Sequence, residues 1–364
     1  MIWLRVTFSN CTSYKMRHLL IISIFIFSAL VKAQDTVKVA LNLDPLQTAE
    51  QDYNKGLAAL KANDYYSAID LFSKCLSVKN DFDKAYANRA IALTNLKKYD
   101  EALVDINRAI ALTPQNPDNY FNKSIVFMRL NKKDSQNVAL DVCLRLNGEH
   151  AEASYYKGLL AFEAGDLDKA IGYYSIAILS NRNYSFAYND RASAKRAKGD
   201  LDGAVEDYEK ALLFDSSQVF IYNNVGSAYR LRKSYDKAID AYTKALKIDP
   251  KYLIALLNRG AAYFENNDLK AAQADFEEVL SYDPKNSSAY NNLSSIALRN
   301  RDYKKARELC TRAIELDPKN GPAYYNRGIA RQLLREEGAC CADWKKAVEL
   351  GVTGAKAFIN ASCN

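Results

Sequence analysis

The sequence predicts an all-α solenoid of about nine stacked helix hairpins, and two observations carry this prediction. First, the chain repeats itself every 34 residues between residues 49 and 354. Second, apolar residues within each unit recur three and four positions apart over two stretches, which is typical of two amphipathic helices. A single hairpin cannot bury its own apolar faces, so the units are expected to stack in a row.

The shared positions of the units indicate how the helices pack. We number each unit from 1 to 34, with units beginning at residues 49, 83, 117, 151, 185, 219, 253, 287 and 321. Position 8 is always small: Gly56, Ala90, Ser124, Gly158, Ala192, Gly226, Gly260, Ser294 and Gly328. Position 24 is bulky in eight of the nine units: Phe72, Ile106, Leu140, Tyr174, Tyr208, Tyr242, Phe276 and Trp344. In each unit, position 8 therefore allows the two helices to approach closely, and in eight units a large side chain follows at position 24.

These residues resemble the tetratricopeptide repeat (TPR). Small residues at positions 8, 20 and 27, an aromatic residue at 24 and proline at 32 recur with the family's period, over residues 49–354. The resemblance implies a right-handed superhelix whose first helices line a concave groove, and a scaffold that binds other proteins. The unit 117–150 is degenerate, because Gln136 replaces the small residue at position 20, and we expect a local kink there.

Residues 1–33 have the pattern of a secretory signal peptide. Arg17 precedes a 13-residue apolar run, and Ala33 ends a V-x-A cleavage site. We predict cleavage after Ala33 and a periplasmic or secreted protein with no membrane span after cleavage; Met16 is an alternative start. The alternative is an uncleaved membrane anchor. Residues 34–48 are predicted to be an extended lead-in to the first helix.

Four cysteines occupy positions that face the repeat core. Cys75 and Cys143 lie at position 27, Cys310 at position 24 and Cys340 at position 20. Because free cysteine behaves as a small hydrophobic residue, we expect all four to be buried.

Cys341 and Cys363 are predicted to form a disulfide. Residues 355–364 follow two glycines and have one apolar face, which predicts a short capping helix. If that helix returns antiparallel to the helix before it, Cys363 lies opposite Cys341, within disulfide reach. The motif Cys341-Ala342-Asp343-Trp344 with a terminal Cys363 also resembles the ending of a group of exported bacterial TPR proteins. The alternative is two free thiols.

Arginine at position 7 and aspartate at position 23 occur in the same four units and in no other. The predicted pairs are Arg89 with Asp105, Arg191 with Asp207, Arg259 with Asp275, and Arg327 with Asp343. Their co-occurrence indicates Arg–carboxylate pairing across each hairpin. The alternative is a ladder of arginines that binds a ligand.

The resemblance places positions 2, 5, 9, 12 and 13 of each first helix on the concave groove. The candidate binding residues there are Tyr53, Leu57, Phe121, Ile125, Met128, Tyr155, Phe162, Asn189, Arg196, Asn223 and Arg230. The groove is thus apolar and aromatic at one end, and polar and basic in the middle. An exposed apolar strip of this kind usually marks an interaction site. The alternative is that some of these residues pack against adjacent helices.

No motif points to catalysis or to a cofactor. Beyond the signal segment the chain has one histidine, His150, which cannot form a metal cluster alone, and it lacks nucleophile-elbow and phosphate-loop motifs. The net charge of +7 falls to +3 without the four cations of residues 1–33, which argues against a nucleic-acid binder. We therefore predict a non-catalytic scaffold that binds a peptide segment of a partner protein. The alternative is a binder of envelope glycans or another non-protein ligand, through the tyrosines and asparagines of the groove.

No three consecutive units supply the lysine and asparagine set with which some TPR domains bind a peptide's C-terminal carboxylate. A clamp of that kind is not expected here.

Overall fold

The computed structural model describes residues 44–363, and all regular structure in that part of the chain is helical. The helices are α1 Pro45–Lys61, α2 Tyr65–Val78, α3 Asp83–Asn95, α4 Tyr99–Leu112, α5 Pro117–Arg129, α6 Lys133–Leu146, α7 Ala151–Glu163, α8 Leu167–Ser180, α9 Ser185–Lys198, α10 Leu201–Phe214, α11 Val219–Leu231, α12 Tyr235–Ile248, α13 Leu253–Glu265, α14 Leu269–Tyr282, α15 Ser287–Arg299, α16 Tyr303–Leu316, α17 Gly321–Leu333, α18 Glu337–Glu349 and α19 Ala355–Ser362. The described residues divide into two compact units, the first ending at Leu96 and the second beginning at Lys97. None of the helices between residues 44 and 363 is long and apolar enough to cross a membrane. The predicted signal segment lies outside the described residues.

The turn inside each hairpin has the same backbone geometry in all nine repeats. Position 15 takes a left-handed conformation: Asn63, Lys97, Asn131, Gly165, Gly199, Lys233, Asn267, Arg301 and Arg335. In several repeats the next residue is an aspartate that caps the second helix. Asp200, for example, accepts a 2.9 Å hydrogen bond from the backbone N–H of Gly203. Such a cap satisfies one of the free N–H groups at the helix start.

The first helix begins earlier than the sequence predicts. The predicted lead-in runs to residue 48, whereas α1 starts at Pro45, because Pro45 suits the first turn and Asp44 caps it by accepting from the Leu46 N–H.

The core of each hairpin is the contact between positions 8 and 24. In α7 and α8, a Cβ added to Gly158 would lie 2.5 Å from the Tyr174 ring, and in α11 and α12 a Cβ at Gly226 would lie 2.6 Å from the Tyr242 ring. Tyr174, Tyr208 and Tyr242 are completely buried. The small residue is therefore required for the two helix backbones to enclose the ring.

The degenerate repeat keeps a regular second helix. The helix α6 runs over 14 residues, as its counterpart α8 does. Gln136 is 4% exposed and lines a cavity of about 140 Å³ beside Met128 and Tyr156. The polar residue at position 20 is thus accommodated by a cavity.

The last helix covers the end of the array. Phe358 of α19 packs against Trp344 and Tyr325, with ring centroids 5.0 Å and 5.6 Å apart respectively. The structure joins Cys341 to Cys363, as the sequence predicts. The four cysteines predicted at core positions are free and buried: Cys75, Cys143, Cys310 and Cys340. Burial raises the pKa of the Cys143 thiol to about 12, which keeps it protonated and unreactive at neutral pH.

Candidate functional site

The first helices of the second unit present one continuous face. We define the first-helix face as positions 2, 5, 9, 12 and 13 of α5, α7, α9, α11, α13, α15 and α17. Hydrogen bonds between position 6 of one helix and position 5 of the preceding first helix keep these helices in register. Asn224 Nδ2 donates to Asn189 Oδ1 at 3.0 Å, and Asn258 Nδ2 donates to Asn223 Oδ1 at 2.9 Å. A ladder of amide contacts therefore joins α9, α11 and α13.

Asn189 and Asn223 belong to that ladder, which corrects their predicted place in the binding groove. They are 5% and 8% exposed, and each uses its side-chain oxygen to accept from the next repeat. Their amide groups have little surface left for a ligand. This burial also argues against the glycan-binding alternative, which depends on free asparagine and tyrosine groups.

Three of the four predicted arginine–aspartate pairs are bidentate in the structure. Arg191 donates to both oxygens of Asp207, from Nε at 2.8 Å and from Nη2 at 2.7 Å. Arg259 with Asp275 and Arg327 with Asp343 have the same geometry. The alternative of a ligand-binding arginine ladder is not supported for these three arginines, because their guanidinium groups are already engaged.

Each of these arginines has a further partner, which the sequence reasoning missed. Arg191 Nη1 donates to the hydroxyl of Ser175 in the preceding repeat at 3.0 Å. Arg259 and Arg327 donate in the same way to Thr243 and Thr311. The hydroxyl residue lies 16 residues before the arginine, and the aspartate lies 16 residues after it. The sequence therefore contained the spacing from which this second partner could have been predicted. One guanidinium therefore bridges two repeats.

The remaining pair stays a prediction. Arg89 belongs to the first compact unit, where its Nη1 donates to Ser73 at 2.9 Å, and Asp105, which is buried, belongs to the second.

Burial and hydrogen bonding act in opposite directions on Asp207. Removal from water raises the pKa of a carboxyl group, but hydrogen bonds from Arg191 and Lys195 outweigh it here and hold the pKa of Asp207 below its usual value. The ammonium of Lys195 lies 2.8 Å from the carboxylate. Asp207 thus stays ionised in the fold.

The aromatic end of the face is more enclosed than the sequence suggests. Phe121 is half-buried against the His150 ring, 5.0 Å away, and Tyr155 packs against Tyr174 and Tyr184. The Tyr155 hydroxyl donates to Asp190 at 2.7 Å. We therefore correct the expectation that Phe121 and Tyr155 form an open part of the groove: His150, Tyr174 and Tyr184 of their own repeats and Asp190 of the next repeat contact them.

Other residues of this end are more open. Phe162 is 37% exposed, while Met128 and Ile125 are half-buried. Two apolar residues that the sequence reasoning did not select, Phe186 and Ile254, are 43% and 53% exposed at position 2. Position 2 is one of the groove positions that the TPR resemblance gives, so the sequence could have indicated both residues.

In the first compact unit the two candidates differ. Tyr53 is half-buried against Phe72 and Phe82, and its hydroxyl accepts from Asn88 at 3.1 Å. Leu57 is 36% exposed. Only Leu57 has appreciable free surface.

Arg196 and Arg230 lie at position 12 of neighbouring first helices, α9 and α11. Arg230 Nη1 donates to Glu265 at 2.6 Å, and its Nε is buried without a hydrogen-bond partner. Beside them, the Tyr208 hydroxyl lies 2.9 Å from the Ser193 hydroxyl, and the Tyr242 hydroxyl donates to Ser227 at 3.2 Å. This part of the face is therefore rich in polar groups.

Between residues 44 and 363, no group of three histidine, cysteine, aspartate or glutamate side chains is arranged to hold a metal ion. His150 instead caps α7, accepting from the Ala153 N–H through Nδ1 at 3.2 Å.

Comparison with known families gives one consistent result along the chain. Models described as tetratricopeptide repeat match residues 83–116, 139–188, 187–218 and 257–321, and a TPR repeat model matches residues 226–267.

Curated relatives match only a short stretch. Heat shock protein STI1 of Saccharomyces cerevisiae is 38% identical over 68 residues, and Protein STIP1 homolog of Dictyostelium discoideum is 35% identical over 68 residues. These stretches are 18% and 19% of this chain, and the chain spans only 12% of each relative.

Solved structures share the fold over a longer part of the chain. A tetratricopeptide repeat protein from Parabacteroides merdae has a TM-score of 0.60 and 18% identity, covering 69% of this chain and 100% of that one. The Cut9–Hcn1 hetero-tetramer of APC/C has a TM-score of 0.52 and 14% identity, covering 84% of this chain and 59% of that one. At such identities the likeness shows the fold alone.

Proposed function

Because the chain belongs to the tetratricopeptide repeat family, we propose that it is a non-catalytic scaffold that holds a peptide segment of a partner protein on its first-helix face. The proposal rests on family membership for the scaffold role and on the geometry of α7, α9 and α13 for the site.

The observation that carries the site is a set of exposed apolar side chains along one face. Phe162, Phe186 and Ile254 are 37%, 43% and 53% exposed, on first helices of nearby repeats. Burying apolar surface is favourable by roughly 25 cal/mol per Å². A few well-placed aromatic residues usually dominate the affinity of such a surface. We therefore assign the anchoring role to these three residues rather than to Phe121 and Tyr155.

A peptide-display selection tests this assignment. Random peptides are selected on the full-length protein, and the affinity of the selected peptides is measured by fluorescence anisotropy. We expect Phe162→Ser with Phe186→Ser to weaken binding by at least about tenfold, since each lost anchor costs on the order of 1–2 kcal/mol.

The matched control removes apolar side chains from second helices. Leu179 and Leu213 are 75% and 77% exposed on α8 and α10. Leu179→Ser with Leu213→Ser should leave the affinity unchanged, and the helical circular-dichroism signal should be equal in all variants. Binding that survives the first double change, or is lost in the second, places the site elsewhere.

We also infer that the protein works outside the cytoplasm, in the periplasm or as a secreted protein. Two observations support this: the Cys341–Cys363 disulfide, since such bonds persist in oxidising compartments, and the signal-peptide pattern of residues 1–33. N-terminal sequencing of exported protein should give Gln34 as the first residue. Cytoplasmic protein with free thiols at both cysteines is the contrary result.

A further inference from the structure

Two neighbouring first helices carry the same residues on the first-helix face. Positions 2, 5, 9 and 12 are Phe186, Asn189, Ser193 and Arg196 in α9, and Phe220, Asn223, Ser227 and Arg230 in α11. The rings of Phe186 and Phe220 stack with centroids 6.1 Å apart and planes 16° apart. With Asn224 bonded to Asn189, the two helices are held in register. We call these eight residues the double row.

The double row has more cationic donors than anionic acceptors. Among residues 44–363, the Arg196 side chain forms no ion pair and no hydrogen bond, although the residue is only partly exposed. Arg230 has one carboxylate partner, Glu265, and a buried Nε without a partner. Burial raises the pKa of Tyr242, while the hydrogen bond to Ser227 and the guanidinium groups of Arg230 and Arg196 lower it. A guanidinium has five N–H donors, so the unpaired Arg196 and the singly paired Arg230 retain donors for an added anion.

Asp190, at position 6 of α9, forms no ion pair with Arg196. The two oxygens of Asp190 accept hydrogen bonds from uncharged groups, the Tyr155 hydroxyl at 2.7 Å and the Asn189 amide at 2.9 Å. Burial raises the pKa of Asp190, since removal from water disfavours its charged form.

The rows on either side of the double row are uncharged at positions 5, 9 and 12, whereas position 2 of α7 is Glu152. In α7, positions 5, 9 and 12 are Tyr155, Leu159 and Phe162, and in α13 they are Leu257, Ala261 and Phe264. A ligand that crosses these helices at position 12 therefore meets the ring of Phe162, then two guanidinium groups, then the ring of Phe264. The acids at position 13 of the flanking rows, Glu163 and Glu265, are paired with Lys133 and Arg230.

We propose that the double row selects acidic peptides: Arg196 and Arg230 bind carboxylate side chains within the segment, and apolar residues on both sides of the acids contact Phe162 and Phe264. This deepens the proposed function and rests on it. Guanidinium groups bind carboxylates in planar, bidentate geometry, and charge complementarity confers specificity on such a surface. Because the acids are side chains, a free C-terminal carboxylate is not required.

Synthetic peptides and paired variants of the full-length protein test the inference. The probe is a short peptide, amidated at its C-terminus, with two adjacent glutamates flanked on both sides by phenylalanine and leucine. A second peptide replaces both glutamates by glutamine, and a third replaces them by phosphoserine. We expect the glutamate peptide to bind at least about tenfold more tightly than the glutamine peptide by fluorescence anisotropy. Arg196→Gln with Arg230→Gln should abolish that difference.

A charge-matched control separates local binding from net charge. Lys210 and Lys270 are exposed residues of the second helices α10 and α14. Lys210→Gln with Lys270→Gln removes the same charge and should leave the difference between the peptides intact. The helical circular-dichroism signal verifies that each variant is folded.

Each of the other outcomes overturns a stated part of the two proposals. Equal affinity for the glutamate and glutamine peptides overturns acid selection, and leaves the proposed function in place if binding still requires Phe162 and Phe186. Tighter binding of the phosphoserine peptide by about tenfold or more assigns the site to phosphate instead. Binding of none of the peptides, together with failure of the display selection, overturns both proposals.

Discussion

The fourth and fifth repeats, residues 151–184 and 185–218, form the same hairpin with different polar chemistry. In the fourth, Lys157 at position 7 is 8% exposed and its ammonium contacts Asn137 and Asp141 of the preceding repeat, at 2.7 Å and 2.6 Å. In the fifth, Arg191 at that position contacts Asp207 of its own repeat. In both repeats the cation at position 7 is satisfied, and its carboxylate partner comes from either side of it.

The same two repeats differ at the contact between positions 9 and 24. Ser193 supplies a hydroxyl partner for Tyr208 at 2.9 Å in the fifth repeat. In the fourth, position 9 is Leu159, and the buried Tyr174 hydroxyl has no partner among the described residues. The fourth repeat thus has an apolar face at the cost of an unsatisfied group, and the fifth has a polar face with the group satisfied.

The largest expected difference between the repeats concerns their carboxylates. Asp207→Ala should lower the free energy of unfolding by about 3–5 kcal/mol, because it leaves the largely buried Arg191 and Lys195 without their shared partner. Asp141→Ala should cost about 1 kcal/mol, since the Asp141 side chain is 50% exposed and Asn137 still bonds Lys157. Urea unfolding followed by circular dichroism measures both.

A double-mutant cycle sharpens that result. Arg191→Ala combined with Asp207→Ala should lose less than the sum of the single losses, because the two side chains interact directly. Additive losses would mean that the bidentate contact contributes nothing to the stability of the fifth repeat.

A second contrast lies at position 8. Gly158→Ala should destabilise by about 1–3 kcal/mol, because a Cβ there would lie 2.5 Å from the Tyr174 ring. The fifth repeat has Ala192 against Tyr208 and both are fully buried, so its backbone already accommodates a methyl group. Ala192→Gly should cost about 1 kcal/mol through helix propensity alone. Equal or opposite effects in thermal unfolding would show that the ring moves aside.

The sequence was sufficient for the repeat and its internal pairs, and insufficient for contacts between repeats. The 34-residue period predicts the hairpins, and co-occurrence predicts Arg191 with Asp207. Whether Phe121 and Tyr155 are free for a ligand depends on how two residues are oriented: His150, at the end of the repeat that contains Phe121, and Asp190, in the repeat after Tyr155. No periodicity specifies that orientation, because rotamers respond to local packing. Sequence alone therefore overestimates the open surface of the first-helix face.

Removal of the tyrosine hydroxyl at position 24 should change the stability in opposite directions in the two repeats. Tyr174→Phe should be neutral or stabilising, because it deletes a buried hydroxyl without a partner. Tyr208→Phe should lose about 0.5–1.5 kcal/mol, because it breaks the contact with Ser193. Both variants keep the ring, so the core volume barely changes. A loss in Tyr174→Phe as large as in Tyr208→Phe would indicate that the Tyr174 hydroxyl has a water partner.

The smallest expected effect is a dependence on pH that separates Asp190 from Asp207. Because burial raises the pKa of Asp190, the folded protein holds this proton more tightly than the unfolded chain does. The stability that Asp190 contributes is fully present below the ordinary aspartate pKa of about 3.9. It declines as the pH rises through the higher pKa that Asp190 has in the folded protein. For Asp207, whose pKa is lowered, the contribution to stability is present above the ordinary aspartate pKa and is lost as the pH falls through the pKa of the folded protein.

Asp190→Asn should therefore gain stability relative to the natural protein between acidic and neutral pH, and Asp207→Asn should lose stability. An asparagine suits the site of Asp190. At the equivalent place in the first compact unit, Asn88 forms a hydrogen bond with Tyr53, as Asp190 does with Tyr155. Urea unfolding across this pH range tests the signs, and a difference for Asp190→Asn that stays constant with pH would mean that Asp190 titrates normally.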